Sequence, residues 1–398
     1  MRRFLAFAIF LCAVVLPGRA ERVLVVPFRN LSEAPNLEWI GESISENIRE
    51  GLAVQQRETV SRDEREEAAR GLSLGIPSRL SMAALLKLGA ELEASHLVLG
   101  EFEAAESTGP PAAEAPLRIT ARIIELERLA NAAQIEERGL MTDLGQIQSR
   151  LAWKVLCQIL DGACPAEDEF LASCPPVRLD AVENYVRGLL SSAPEQKHRH
   201  FAQAALLAPD FAAPRFELGK MHWGEGAHRA AVRWLEQVAA TDSRYLEATF
   251  LLGLARYHMG DYHGAADAFY RVAKIAPSAP VWNNLGVALL RLGDPGALET
   301  LQHAVESDPA DPNYHFNAGY ILWRQGDLAG AAERFHGALT LDPDDADAQQ
   351  MLERCRQNSG PRRGDLSSEG LERLKEHPGR IPRSPGSASQ HQISQAAP

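Results

Sequence analysis

Apolar residues recur at helical spacing through the second half of the chain, and the helical pattern itself recurs. Gly219, Gly253, Gly286 and Gly319 each follow an apolar residue within such a pattern, at separations of 34, 33 and 33 residues. Each is followed by an alanine (Ala231, Ala265, Ala297, Ala331) and, four positions on, by a large apolar residue (Leu235, Phe269, Leu301, Phe335). Gly260-Asp261, Gly293-Asp294 and Gly326-Asp327 divide three of the units, and Pro277, Pro309 and Pro343 close them. Small residues set against large ones let two short helices approach closely. A fixed period in this range describes a helix pair too small to bury its own apolar face, so the pairs must stack.

The first half has a different rhythm. Arg22 to Phe28 is an almost unbroken apolar run, which predicts a buried strand. Leu37, Ile40, Ile44, Ile48 and Leu52 then recur at three and four residues, a helix that Asn36 can cap. A short strand at Glu58 to Ser61, a charged helix, a helix from about Ser81 to Leu92 and a strand from His96 to Glu103 follow. Leu117, Ile119, Ala121 and Ile123 alternate with Arg118, Thr120 and Arg122, the mark of a half-exposed strand; it turns into Gln134 to Arg138, and a helix from Asp143 to Leu160 closes the unit.

These patterns predict an α/β domain over 21–161, a linker over 162–178 and an all-α solenoid over 179–358. The solenoid holds about five helical hairpins, the first degenerate (Tyr185, Gly188, Ala204, Pro209), and a closing helix from Ala346 to Arg356. Residues 359–398 are rich in Ser, Pro, Gly, Gln and Arg, with apolar patterning only at Leu371-Glu-Arg-Leu374. Such a composition predicts a disordered tail; docking of that tail on a partner is the sharper alternative.

Residues 1–20 read as a signal peptide. Arg2-Arg3 precede thirteen uncharged residues, Phe4 to Leu16, too few to span a bilayer, with a small-residue cleavage site after Ala20. An exported, periplasmic protein is expected, with secretion as the alternative and no stable membrane insertion. Its removal takes the formal charge from −12 to −15, a balance that argues against nucleic acid as a partner. Cys157, Cys164, Cys174 and Cys355 then remain; Cys164 and Cys174, bracketing the acidic linker, are the expected disulfide, against free thiols with Cys157 buried on a helix.

Two resemblances follow. Trp282, Leu285, Gly286, Leu289, Ala297, Leu301, Ala304 and Pro309 match the signature of tetratricopeptide repeats. Asp242-Ser243, where a proline is expected, and the short Asp294-Pro295-Gly296 turn depart from it. Val25-Val-Pro-Phe-Arg-Asn-Leu-Ser32 and Gly41-Glu-Ser-Ile-Ser-Glu46 resemble the small amino-terminal periplasmic domain of the TolB translocation protein and the related FlgO-type flagellar domain. No propeller follows here, so the partners of TolB are not implied. Asn30 and Ser32 are either ligand contacts at a strand end or residues that shape a turn.

By the repeat resemblance, a concave groove is lined by Phe216, Lys220, Trp223, Phe250, Tyr257, His258, Asn283, Arg291, Asn313, Phe316, Tyr320, Trp323 and Arg324. It implies further that Asn284 and Asn317 stand where some members of the family hold a bound peptide's backbone. Aromatic residues with few acids suit a neutral or acidic peptide, the rings giving contact area and the cations orientation. The competing reading packs the same rings between helices. No phosphate loop, nucleophile motif or paired Cys-x-x-Cys occurs, and His198 with His200 and His258 with His263 lack the spacing of a metal site, so neither catalysis nor cofactor nor metal is expected. Asp63-Glu-Arg-Glu-Glu67 reads as a solvated helix face. The expected function is a non-catalytic exported adaptor that binds an extended peptide or partner protein, in assembly of cell-envelope complexes. The alternative is an envelope protein whose α/β domain binds a glycan or nucleotide-like ligand, with the repeats as a spacer.

Overall fold

Val23 and Val25 face one side of a sheet and Leu24 and Val26 the other, and all four are buried, because helices cover both faces. The computed structural model describes residues 22–32, 34–75, 79–104, 115–128, 130–160, 164–362 and 369–379; the expected signal peptide lies outside them. The strands are β1 (Arg22–Val25), β2 (Arg29–Asn30), β3 (Glu58–Thr59), β4 (His96–Ala104), β5 (Pro116–Glu125) and β6 (Ala130–Leu140). Their order is β3-β1-β4-β5-β6, with β2 also on β4; β3, β1 and β4 run parallel, while β5 and β6 are antiparallel. The alternation expected of β5 is observed: Leu117, Ile119, Ala121 and Ile123 are buried and Arg118 and Arg122 exposed.

Helix α1 (Trp39–Val54) begins after a 3-10 turn at Pro35–Leu37, so Asn36 does not cap it. Helices α2 (Arg62–Gly71) and α3 (Met82–Glu91) start on Ser61 and Ser81, whose hydroxyls accept from Glu64 and Ala84 N–H. They cover the Leu24 face, and α1 and α4 (Leu144–Ile159) cover the Val23 face. The run Asp63 to Glu67 is not wholly solvated. Arg65 is 2% exposed, donating to Glu42 at 2.6 Å and to the Val25 carbonyl at 3.2 Å.

The expected linker is also part of the packed structure. Helix α5 (Glu167–Ser173) drives Phe170 into the core formed by α1 and α4. Gly51 makes room for it, since a Cβ there would lie 2.8 Å from the ring. The expected Cys164–Cys174 disulfide is therefore corrected: Cys164 pairs with Cys157 at the end of α4, Cα atoms 4.9 Å apart, and Cys174 is free. Helix α5 separates Cys164 from Cys174 in the chain, while Cys164 returns to the last turn of α4, where Cys157 lies.

The solenoid consists of the hairpins α6 (Leu179–Leu190) with α7 (Pro194–Leu207), α8 (Ala212–Gly224) with α9 (His228–Leu235), α10 (Tyr245–His258) with α11 (Tyr262–Ile275), α12 (Ala279–Leu292) with α13 (Ala297–Ser307), and α14 (Pro312–Gln325) with α15 (Leu328–Leu341), followed by α16 (Ala346–Arg356). The paired small and large residues meet as expected. A Cβ on Gly253 would lie 2.7 Å from Phe269, and one on Gly319 would lie 3.0 Å from Phe335. One apolar core runs from the sheet through α1 and α4 into α6, α7 and α8. Arg244, at the start of α10, fixes this junction with bonds of 2.5 and 3.0 Å to the Glu50 carboxylate on α1.

Candidate functional site: the concave groove

The first helices of the repeats place Asn283 and Asn284 on α12 and Asn317 on α14, each at most 1% exposed. Buried amides need partners, and here they find main chain. Residues 369–379, expected to be disordered, lie along these helices, with bends at 369–370 and 376–377; the rest of 359–398 is outside the described residues except 359–362. Asn317 accepts from the Arg373 N–H at 2.8 Å and donates to the Arg373 carbonyl at 2.8 Å. Asn284 does the same for Lys375, both bonds being 2.8 Å. Asn283 donates to the Arg373 carbonyl at 2.9 Å and accepts from Asn317 at 2.7 Å, joining the two clamps. Order in this strap comes from the groove, because its own sequence has no helical or strand pattern to sustain it.

Side chains add a second set of contacts. Arg373 lies over the Phe316 ring, 3.6 Å from its centroid, donates twice to Asp345 at 2.6 and 2.7 Å and reaches Asn313 at 3.3 Å. Lys375 meets Asp311 at 2.5 Å and sits 5.0 Å from the centre of the Tyr314 ring. Glu372 pairs with Arg291 and accepts from the Tyr257 hydroxyl at 2.6 Å. Burial, together with the Glu372 carboxylate, pushes the Tyr257 phenol above its ordinary value. Ser278 donates to the Pro378 carbonyl at 2.6 Å.

The groove residues expected from the sequence separate into two groups. Tyr257, Asn283, Asn284, Arg291, Asn313, Phe316 and Asn317 touch the strap, and Leu371 packs against the cluster containing Tyr320. Phe250 packs on Phe269 within its own hairpin, ring centres 5.5 Å apart. Trp323 is buried and donates to the Ser359 carbonyl at 2.9 Å; Arg324, at the end of α14, is exposed. Lys220 lies over Phe216 and pairs with Asp63 of α2 at 2.7 Å, so this end of the array engages the α/β domain. His228 and His258 stack, with the Trp223 ring tilted against both; burial, with His228 beside it, holds the His258 imidazole below its ordinary value.

Asp311, Asp345 and Ser278 were missed as groove residues. Both acids cap helices, Asp311 accepting from Asn313 N–H at 2.9 Å and Asp345 from Ala348 N–H at 3.0 Å. Their remaining acceptor capacity serves the strap. In the α/β domain, a cleft of about 730 Å³ is lined by residues including Arg29, Asn30, Arg79 and Arg122. Asn30 bonds to the Ala34 carbonyl and accepts from Ser32 N–H, and Ser32 accepts from Ala104 N–H, so both residues hold the chain's own loop. Among the described residues no group of three or more His, Cys, Asp or Glu could hold a metal ion, and no helix is long and apolar enough to cross a membrane.

The geometry has a pH consequence. Burial works against charge on Asp345, but the Arg373 hydrogen bonds, the main-chain N–H groups of Ala348 and Asp347 and the Arg373 charge together outweigh it and hold the carboxyl below its ordinary value. A depressed carboxylate supports the closed strap above its ordinary pKa, near 4, and loses that support as pH falls through the depressed value. Protection of the Arg373 and Lys375 amides in hydrogen exchange is expected to be constant from about pH 7 to 5 and to fall below about pH 4. Unchanged protection factors at about pH 3 would refute the pairing.

A profile of the tetratricopeptide repeat matches residues 216–280 and 283–346. This stretch of the array carries tetratricopeptide repeats. Among curated proteins, bacteriophage adsorption protein A of Escherichia coli (strain K12) is 32% identical over 123 residues, which are 31% of this chain and 12% of that protein. Among solved structures, MamA from Desulfovibrio magneticus RS-1 is 24% identical, with 40% of this chain and 92% of that chain covered and a TM-score of 0.36. YrrB, a TPR protein with an unusual peptide-binding site, is 23% identical, with 42% and 88% covered and a TM-score of 0.35.

Proposed function

We propose that this chain is a non-catalytic, exported adaptor whose repeat array binds an extended segment of a partner protein, in assembly of complexes in a bacterial cell envelope. The observation that carries the reading is the double clamp, in which Asn284 and Asn317 each accept a main-chain N–H and donate to the carbonyl of the same residue. Contacts of this kind hold an extended chain whatever its side chains, which leaves selection to the pockets alongside. Export is supported by the charge and apolar pattern of residues 1–20, and the envelope by the resemblance of the opening α/β segment to periplasmic domains.

The test is binding of a fluorescent peptide library to the full chain carrying Arg373→Glu and Lys375→Glu, which frees the groove of residues 369–379, with and without Asn284→Ala and Asn317→Ala. The two alanines delete four main-chain contacts of about 1 kcal/mol each, so peptides that bind the freed groove are expected to lose at least ~100-fold in affinity. Equal binding by the two proteins would remove the groove from the explanation.

A further inference from the structure

Residues 371–375 occupy the groove with a definite order of side chains. Leu371 packs against the cluster of Phe316, Tyr320 and Trp323, and Leu374 against the cluster that includes Phe250 and Tyr257. Between and beyond them Glu372 meets Arg291 and Tyr257, Arg373 meets Asp345, and Lys375 meets Asp311. Five consecutive residues thus each find a group of matching chemistry, contributed by helices from α10 to α16. A groove that read only the main chain would not need this.

The strap is held over a short span. Residues 369, 370, 376, 377 and 379 are exposed, Leu371 and Leu374 are partly buried, the Arg373 and Lys375 side chains are each 21% exposed, and the Glu372 carboxylate, at 3%, is the deeply buried anchor. The strap is attached through the segment that follows α16, a tether of the length that raises local concentration to roughly millimolar. Modest contacts suffice to close the groove under that condition, and a free segment with the same side chains can compete.

Building on the groove reading above, we propose that the partner is an extended segment with the order apolar, acid, arginine, apolar, lysine, and that residues 371–375 are the intramolecular competitor it displaces. Asp311 and Asp345 make the groove a receiver of cations as well as of one carboxylate, which revises the expectation of a neutral or acidic peptide.

The test compares the full chain with an Arg373→Glu, Lys375→Glu variant, in which the strap is released. Two fluorescent peptides are titrated by anisotropy: residues 370–379 of this chain, and the same peptide with Glu372→Arg, Arg373→Glu and Lys375→Glu. The native peptide is expected to bind the variant roughly tenfold or more tightly than it binds the wild type, because the tethered competitor is gone. The charge-swapped peptide is expected to bind the variant at least ~10-fold more weakly than the native one. Equal affinity of the native peptide for both proteins, or equal affinity of both peptides for the variant, would overturn the proposal. Library peptides that bind while the native peptide does not would overturn it and leave the groove reading intact; failure of every peptide on the released variant would end both. Concentration-dependent dimerisation of the wild type, abolished in the variant, would place the strap in a neighbouring copy and likewise overturn it.

Discussion

Arg65→Ala is expected to destabilise the fold by about 3–5 kcal/mol, lowering the thermal midpoint by roughly 10 °C. The reason is the charge left behind. Glu42 is 3% exposed and accepts from Arg65 at 2.6 Å and from Arg62 at 3.2 Å. Burial opposes ionisation of Glu42, but the two guanidiniums win and hold its carboxyl below the ordinary value. Removing Arg65 takes away the closer of the two and also leaves the Val25 carbonyl without its side-chain donor. Replacing the pair together, as Glu42→Leu with Arg65→Met, should recover part of the loss, because no buried carboxylate is left without its closer partner; the Val25 carbonyl and Arg62 still lose a contact each. The two variants are compared by thermal and urea unfolding. A single substitution that costs under ~1 kcal/mol would mean that the pair is solvated in practice. The sign with pH follows: a depressed carboxylate stabilises above its ordinary pKa and loses that contribution as pH falls through the depressed one.

Phe170→Ala is expected to cost about 3–5 kcal/mol as well, through transfer and cavity terms together. Phe170 is wholly buried in the core that joins the sheet's helices to the first repeats, although it comes from a stretch with three acids in its first turn. If α5 were only a tether, the substitution would be neutral. Its loss should also increase proteolysis between Cys164 and Leu179, since the remaining anchors, the Cys157–Cys164 disulfide and the Trp153 bond to the Pro165 carbonyl, lie ahead of α5 and leave only the partly buried Leu171 and Cys174 to hold the helix and its end. Unchanged unfolding and unchanged cleavage would restore the linker reading. Gly51→Ala offers an independent check on the same contact, because its new Cβ would press on the Phe170 ring from α1.

These two residues also show where sequence reasoning stops. The repeats were legible because their small and large residues recur at a fixed interval, and the strands because apolar runs and alternation have periods of their own. Phe170 has no such neighbours: one ring among acids carries no periodicity, and its burial depends on a glycine far away in the chain. Arg65 stands in a run of mixed charges that reads as solvated until Glu42 is placed beneath it. Asn284 and Asn317 could be singled out through the resemblance to a repeat family, but what they hold could not. Leu371 to Lys375 have no local preference for one conformation, and their order is imposed by α12, α14 and α16. Asp311 and Asp345 cap α14 and α16 through contacts only a few residues long, and neither was singled out from the sequence; their second task needs a stretch of chain that is distant in sequence.

Arg373 faces Asn317 and Lys375 faces Asn284, so the strap advances two residues while the array advances one repeat, and it runs opposite to the array. A guest displaced by a single position would present the wrong side of its zigzag to every clamp at once. On the proposed reading, selection then rests on spacing: a guest that carried its arginine and lysine one or three residues apart, rather than two, could satisfy both clamps but not both of Asp345 and Asp311.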